Sequence, residues 1–282
     1  MKAVKLYQKL EADFITSALS DDWGENIDTV ADFIAANFEQ RSMGLVCDFA
    51  TEIDRVYTAV FPSSSVLSAI LKTGAKDAML FVHHPAIWDI RQAPHVFRQM
   101  DRQLLQQFKA RRISIYNLHV PLDNYGEHST SATLARALGI QVETAFAPYF
   151  GALCGVLGRT SSITVQALSD KFQAVVGHKI KLYNYGEREI RDGLVAIVAG
   201  GGLAETIKEV AQRKVNVLVT GITVKNSHSR PAHEFAEKHK INLLGGTHYS
   251  TEKFACISLV DYFDKIGVPA EFIKDQPLMA DL

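Results

Sequence analysis

Short runs of β-forming apolar residues alternate along this chain with longer segments that carry apolar side chains at helical spacing. In the first half the runs predict strands at 56–61, 78–82 and 113–118. Helical spacing predicts helices at 4–19, 29–40, 65–71, 96–108 and 130–138. This alternation is typical of a largely parallel sheet covered by helices, and it therefore predicts an α/β fold.

The same alternation starts again after Pro148. Strands are predicted at 153–158, 179–185, 194–199, 215–220 and 241–244, and helices at 165–175, 204–213, 228–239 and 249–266. We therefore expect two α/β lobes, 1–147 and 148–282, each a helix-covered, mainly parallel or mixed sheet. The boundary falls within 145–151 and is provisional, since boundaries are the weakest part of such an assignment.

Bulk composition excludes several classes of protein. A chain of 282 residues can bury the cores of two lobes, and its net charge of −1 without a basic stripe argues against binding of nucleic acid. No segment approaches the ~18 consecutive apolar residues of a membrane span. Cys47, Cys154 and Cys256 are odd in number, far apart and set in apolar stretches, which indicates reduced core cysteines and a cytoplasmic protein.

Two adjacent histidines, His83 and His84, follow the strand predicted at 78–82. Neighbouring side chains on a strand point to opposite faces, so the pair does not readily share one ion, but at a strand end it could serve two adjacent ions. The alternative is a pair that is merely solvated or hydrogen-bonded. Ligands elsewhere in the chain must decide between the two.

A second polar cluster, His119 and Asp123, follows the strand predicted at 113–118. In open α/β sheets ligands collect outside the carboxyl ends of the strands, so this cluster and the histidine pair would face one crevice. The alternative is that Asp123 and Asn124 only cap a turn before Gly126. We expect His119 to support Asp123 rather than to bind metal itself.

A third cluster follows the last predicted strand and opens a helix, in the segment Gly245-Gly-Thr-His-Tyr-Ser-Thr-Glu252. If the helix begins near His248, then His248 and Glu252 are four residues apart and share one helix face. The alternative is that Ser250 or Thr251 is an N-cap and that Glu252 only favours the positive end of the helix.

The candidate metal ligands are three imidazoles and two carboxylates: His83, His84, Asp123, His248 and Glu252. Such ligands suit zinc, iron, manganese or cobalt, and they do not identify the metal. Five protein ligands for two divalent ions leave coordination positions open to water, as in a catalytic site. Glu252 is the candidate bridge between the ions, which could acidify a shared water.

These motifs resemble the NIF-three-like family, also described as homologues of type 2 GTP cyclohydrolase I. The resemblance rests on His83-His84-Pro85, on Leu118-His-Val-Pro-Leu-Asp123 and on Gly246-Thr-His-Tyr-Ser-Thr-Glu252, and it spans residues 44–266. It implies a two-metal centre held by the five candidate ligands in the cleft between two lobes. It also implies a homo-oligomer, commonly a ring-shaped hexamer.

The chain departs from the family pattern at three places. It has only Met43-Gly-Leu45 where a longer Trp-Asp-Asn-Val-Gly-Leu motif is expected. It has Phe61-Pro-Ser-Ser64 where an Asp usually ends the first strand, and Ile222 where a Glu usually stands. None of these changes removes a proposed ligand, so they bear on substrate contacts.

Further histidines and a glycine run are weaker candidates. His228, after Thr220-Gly221, resembles a histidine that some relatives have near the cleft, and it is the candidate acid or base. His233 and His239 are expected on a solvated helix face. The run Gly200-Gly-Gly202 is expected to form a tight turn before a helix, with a phosphate site as the alternative.

The function expected from these observations is hydrolysis of a small molecule by a dinuclear metal site. The resemblance suggests a purine nucleotide such as GTP, whose ring would be opened by a metal-bound hydroxide with Glu252 and His228 as catalytic residues. The alternative is a noncatalytic metal-binding or regulatory protein. Neither the native metal, the substrate nor the pathway follows from the sequence.

Overall fold

The computed structural model describes residues 1–89, 97–201 and 204–282, which divide into two compact units. Unit one comprises Met1–Leu122, Phe150–Ala152 and Cys256–Asp275, and unit two comprises Asp123–Tyr149, Leu153–Ala255 and Gln276–Leu282. The chain therefore passes between the units several times. The single lobe boundary after residue 147 stays a prediction.

The described residues form helices and strands in alternation. The helices are α1 Ala3–Phe14, α2 Ala36–Arg41, α3 Ser64–Lys72, α4 Arg102–Ala110, α5 Val120–Asp123, α6 Thr130–Ala137, α7 Val165–Val176, α8 Ala204–Gln212, α9 Arg230–Lys238 and α10 His248–Lys265. The strands are β1 Gly44–Cys47, β2 Arg55–Ala59, β3 Ala78–Val82, β4 Ile87–Trp88, β5 Phe97–Arg98, β6 Ile113–Asn117, β7 Gln141–Tyr149, β8 Ala152–Arg159, β9 Lys181–Tyr183, β10 Leu194–Val198, β11 Val217–Thr220, β12 Asn242–Gly245 and β13 Ala270–Phe272.

The sheet of unit one has the strand order β1-β6-β3-β2-β13. Strands β6, β3, β2 and β13 are parallel, and β1 is antiparallel to β6 at the edge. Val82 of β3 lies beside Ala59 of β2 and Asn117 of β6, so these three strands end at the same level. The residues that follow them are therefore brought to one edge of the sheet.

The sheet of unit two has the order β7-β8-β10-β11-β12-β9 and also has a parallel centre. Strands β10, β11 and β12 are parallel, while β8 and β9 run antiparallel to their neighbours. Val198, Thr220 and Gly245 are in register, so the loops after these strands also leave from one edge.

Each sheet is buried by helices, which confirms the predicted α/β class. In unit two, successive residues of β10 point to different cores: Val195 and Ile197 pack in one cluster, and Ala196 and Val198 pack in another on the opposite face. Within the described ranges, no helix has both the length and the apolar character needed to cross a membrane.

Most of the predicted elements are present, and β3 has the predicted bounds. The single helix predicted at 29–40 is wrong, because a 3₁₀ helix, Asp28–Phe33, and α2 are separated by extended backbone at Ile34 and Ala35. The Ala35 N–H donates to the carbonyl of Val46 in β1. Pairing with the sheet edge therefore replaces the helical turn at this point.

The helix predicted at 96–108 begins later than expected, and residue 96 itself lies outside the described residues. Phe97 and Arg98 form β5, and α4 starts after Asp101, whose side chain accepts from the backbone N–H groups of Gln103 and Leu104. Residues 145–151, the expected boundary, form the end of β7 and the turn into β8.

Candidate metal centre

In unit one, the two adjacent histidines leave the carboxyl end of β3 and are buried. His83 has no exposed surface, and His84 is 4% exposed. The Nδ1 atom of His83 lies 2.9 Å from the carbonyl oxygen of Leu118. Since a carbonyl oxygen can only accept, Nδ1 carries the proton and Nε2 carries the lone pair. The fold thus sets the tautomer that a metal ligand at Nε2 needs.

His119 completes a group of three imidazoles in unit one. One nitrogen of each of His83, His84 and His119 lies within 4.8 Å of the others. The Nδ1 atom of His119 is 3.0 Å from a carboxylate oxygen of Asp21. This carboxylate–imidazole pair resembles those that orient histidines in metal sites.

The sequence predicts that His119 supports Asp123, and it gives no indication that Asp21 contacts His119. The two paired residues are 98 positions apart, and Asp21 precedes the first strand by more than 20 residues. No local pattern links such distant positions. Their contact follows only from the path that the chain takes before β1.

Aromatic side chains enclose the histidine group. The ring of Phe61 stacks on His84 with centroids 5.1 Å apart, and the edge of Trp23 contacts His84 and His119 at 5.9 and 5.2 Å. Phe61 begins the segment Phe61–Ser64, one of the places where the sequence is expected to depart from the family pattern. Here that position places an apolar ring against a candidate ligand, which lowers the local polarity.

In unit two, α10 begins at His248 and carries the third cluster. The Nε2 atom of His248 is 3.1 Å from Oε1 of Glu252, and Glu252 is 3% exposed. Thr247 rather than Ser250 or Thr251 acts at the helix start, because its hydroxyl accepts from the Ser250 N–H at 3.1 Å. The alternative N-cap reading is therefore wrong, and the helix face expected for His248 and Glu252 is confirmed.

Gly200, in the turn after β10, packs directly against this pair. Its φ of +77° suits glycine, and a Cβ added there would lie 2.2 Å from Oε1 of Glu252. The Gly200 N–H donates to the hydroxyl of Thr251 at 3.0 Å. The tight turn expected for this glycine run is thus present at Gly200. The phosphate alternative stays untested, since Gly202 lies outside the described residues.

Asp123 ends α5 and is 8% exposed. Its Oδ1 accepts a hydrogen bond of 2.7 Å from the hydroxyl of Thr130. The adjacent Asn124 accepts from the N–H of Leu153 in β8 at 3.2 Å, so this hydrogen bond joins a distant strand and does not cap the turn before Gly126. Asp123 is thus a buried, oriented carboxylate rather than a solvated turn residue.

The three weaker candidates His228, His233 and His239 lie in two environments. His228 is exposed and lies in the turn before α9, where its N–H donates to Asn226. His239 is exposed and stacks on Phe235, as expected for a helix surface. His233 was expected on a solvated face, and this is wrong.

His233 is 6% exposed, and its ring nitrogens contact the carbonyl of Thr223 and the hydroxyl of Tyr185. Burial lowers the pKa of His233 below its usual value, because desolvation disfavours the charged ring.

The residues fit a divalent metal ion. Among the described residues, His, Asp and Glu side chains form groups whose ligand atoms are close enough to hold one. The donors are buried nitrogen and oxygen atoms in oriented side chains, which is the chemistry of zinc, iron or manganese sites. The three cysteines are free, and none is needed for this set.

Comparison with known proteins is consistent with this geometry. The chain belongs to the Duf34/NIF3 (NGG1p interacting factor 3) family, whose sequence model matches residues 21–277. A Pyrococcus horikoshii protein named "GTP cyclohydrolase 1 type 2 homolog" is 29% identical over 229 residues, covering 79% of this chain and 86% of the relative.

A Deinococcus radiodurans protein of the same name is 28% identical over 239 residues, covering 82% of this chain and 84% of the relative. A solved structure described as protein ybgI, of unknown function, has a TM-score of 0.74 at 23% identity and covers 99% of this chain and 100% of its own. That likeness shows the shared fold. The family resemblance inferred from the three motifs is therefore confirmed.

Proposed function

We propose that this protein is a dinuclear metal-dependent hydrolase of a small molecule, with His83, His84, Asp123, His248 and Glu252 as metal ligands. The observation that carries the proposal is that all five side chains are buried or nearly buried just after the carboxyl ends of parallel strands or within the first two turns of the helices that follow. Burying so many ionisable groups is costly unless they are paired or bind metal.

The roles of the individual ligands follow from their positions. The ring centroids of His83 and His84 are 4.2 Å apart, and we propose that the two histidines would bind adjacent ions. Glu252 has two carboxylate oxygens and packs so closely against Gly200 that a Cβ there would not fit. We propose that this oriented carboxylate would bridge the two ions. Asp123 is held by Thr130 and supplies a further oxygen ligand.

Two divalent ions bound by this set would acidify a water so that it can add to a substrate at neutral pH. The names of the relatives point to GTP, and we propose a purine nucleotide as the substrate. Water would add to the carbon of the imidazole ring, and the bond from that carbon to a ring nitrogen would break. His228 lies in an exposed turn and is the proposed acid that protonates the departing nitrogen.

Metal analysis of purified protein tests the ligand set. We expect about two ions per chain, as in other two-metal sites, and loss of metal from the His84→Ala and Glu252→Ala variants. His239→Ala and Glu234→Ala change exposed residues of the same types and serve as controls. Full metal content in the His84→Ala and Glu252→Ala variants would refute the proposed site.

A turnover assay separates the hydrolase from the noncatalytic alternative. Protein loaded with manganese, zinc or iron should convert GTP, and Glu252→Ala should abolish conversion. Metal-dependent binding of a partner without turnover of any nucleotide would favour a metal-binding or regulatory protein instead.

We also propose a cytoplasmic homohexamer. The free cysteines support a reducing compartment, since burial holds the pKa of Cys47 well above its usual value and leaves it unreactive. Light scattering of the purified chain tests the oligomer, and a monomer would contradict it.

A further inference from the structure

Asp281 lies near the end of the sequence and outside the family match at 21–277. The preceding segment, Cys256–Asp275, belongs to unit one, but Gln276–Leu282 returns to unit two. Asp281 is 2% exposed, and a carboxylate is seldom so fully buried. Burial of a carboxylate is costly unless it accepts hydrogen bonds. The hydrogen bonds of Asp281 therefore indicate what this residue does.

One partner is the backbone of a proposed metal ligand. Oδ2 of Asp281 accepts a hydrogen bond of 2.9 Å from the N–H of His248, the first residue of α10. The first N–H groups of a helix have no partner within the helix, and a negative charge is favoured at this end. The hydroxyl of Thr247 accepts from the N–H of Ser250. Asp281, which is distant in the sequence, therefore supplies a second cap, at the N–H of His248.

The main chain of Asp281 holds a second loop. Its carbonyl oxygen accepts from the N–H of Thr223 at 2.7 Å and from that of Val224 at 2.9 Å. These residues follow β11 and lead into the turn that contains His228. Asp281 therefore connects the start of the ligand-bearing helix to the loop of the proposed acid.

Packing around Thr223 makes this connection rigid. A Cβ added at Gly245, the last residue of β12, would lie 1.9 Å from the hydroxyl oxygen of Thr223. The carbonyl of Thr223 accepts from Nε2 of His233 at 2.9 Å. The loop and the start of α10 are thus both bonded to Asp281, and the end of β12 packs against the same loop.

We propose that Asp281 is a positioning residue, whose carboxylate fixes His248 through its backbone N–H while its own main-chain carbonyl is anchored to the loop that leads to His228. The inference rests on the proposed function for the role of His248 as a metal ligand. Groups that orient metal ligands from outside the coordination shell change metal affinity about 10- to 100-fold when they are removed. We expect Asp281→Ala to weaken zinc binding by a factor in that range.

The test compares three variants of the full chain. Asp281→Ala removes the carboxylate, and Asp281→Asn keeps an acceptor oxygen without the charge. Asp275→Ala is the matched control, because Asp275 is also a carboxylate of the terminal segment but accepts from Ser63 and Ser65 in unit one. Zinc affinity is measured by competition with a chelating dye, and hydrogen exchange is measured on the metal-free protein.

Two readouts keep the inference separate from the proposed function. In Asp281→Ala, exchange should become faster at the N–H of His248, which loses its acceptor, and zinc affinity should fall. The N–H groups of Thr223 and Val224 keep the main-chain carbonyl as acceptor and serve as an internal reference. Asp281→Asn should show a smaller effect of the same kind, and Asp275→Ala should leave both readouts at these positions unchanged. If the wild-type protein binds no zinc, the proposed function fails, and the exchange rates still test the positioning.

Wild-type exchange at His248 in Asp281→Ala would overturn the inference. So would wild-type zinc affinity in the same variant. If Asp281→Ala does not fold, the inference is tested by comparing Asp281→Asn with the wild type and with Asp275→Ala. Faster exchange and weaker binding than in Asp275→Ala then support the inference, and equality with wild type overturns it.

Discussion

Gly200 offers a way to disturb the metal site without changing any proposed ligand. A methyl group at this position would lie 2.2 Å from Oε1 of Glu252 and 3.3 Å from Cδ2 of His248. Ordinary contacts begin near 3.4 Å, so the carboxylate oxygen would have to move by 3.4 − 2.2 = 1.2 Å. Metal–ligand distances tolerate only about 0.2 Å. We therefore expect Gly200→Ala to lose metal.

The same substitution also strains the backbone, and this effect must be separated from the displacement of Glu252. A residue with a Cβ costs roughly 1–2 kcal/mol in the left-handed region, and Gly200 has a φ of +77°. Gly177, at the end of α7, has a φ of +83°, and a Cβ there would meet no atom within 4 Å. Gly177→Ala therefore carries the backbone cost alone.

Metal titration and chemical denaturation of Gly200→Ala and Gly177→Ala separate the displacement of Glu252 from the backbone strain. Both should lose a similar free energy of unfolding, of roughly 1–2 kcal/mol in the metal-free state. Only Gly200→Ala should lose metal affinity, because only there does the methyl group displace a carboxylate. Equal metal affinity in Gly200→Ala and Gly177→Ala would refute the reasoning.

Three further predictions concern single side chains. Asp21→Ala should remove the carboxylate that accepts from Nδ1 of His119 and cost about 1–3 kcal/mol of stability; imidazole ¹⁵N NMR that still shows an Nδ1 proton held as in wild type would contradict it. The pKa of His233 is lowered by burial, so the unfolded chain takes up a proton below about pH 6.5 while the folded chain resists it. The contribution of this group to the free energy of unfolding is therefore present above that pH and is lost as the pH falls. In denaturation experiments His233→Gln should make the free energy of unfolding fall less steeply with falling pH; an unchanged dependence on pH would show that other groups cause the fall. Phe172→Ala should cost about 3–5 kcal/mol, because the ring is fully buried in the core of unit two, whereas Phe235→Ala should cost less; equal losses in urea denaturation would contradict the assigned core.

The prediction from sequence worked best where one local rule decides the structure. The strand before His83 and the helix that places His248 four residues from Glu252 both depend on short-range periodicity, and both are present. Local rules failed at Ile34 and Ala35, where pairing with Val46 interrupts a segment that has helical periodicity. They also failed at His233, since helical spacing alone did not show that Tyr185 and Thr223 cover this face.

The sequence alone determined the α/β class, the family and the residues that could bind metal, because ligand chemistry and strand or helix periodicity are properties of short segments. The tertiary structure decided how those residues are held. Asp21 reaches His119 across 98 positions, and Asp281 reaches the backbone of His248 across 33. Such contacts depend on where distant segments pack after folding. They therefore carry no signal in the spacing of residues along the chain, although they set the tautomer of one histidine and the helix start of another.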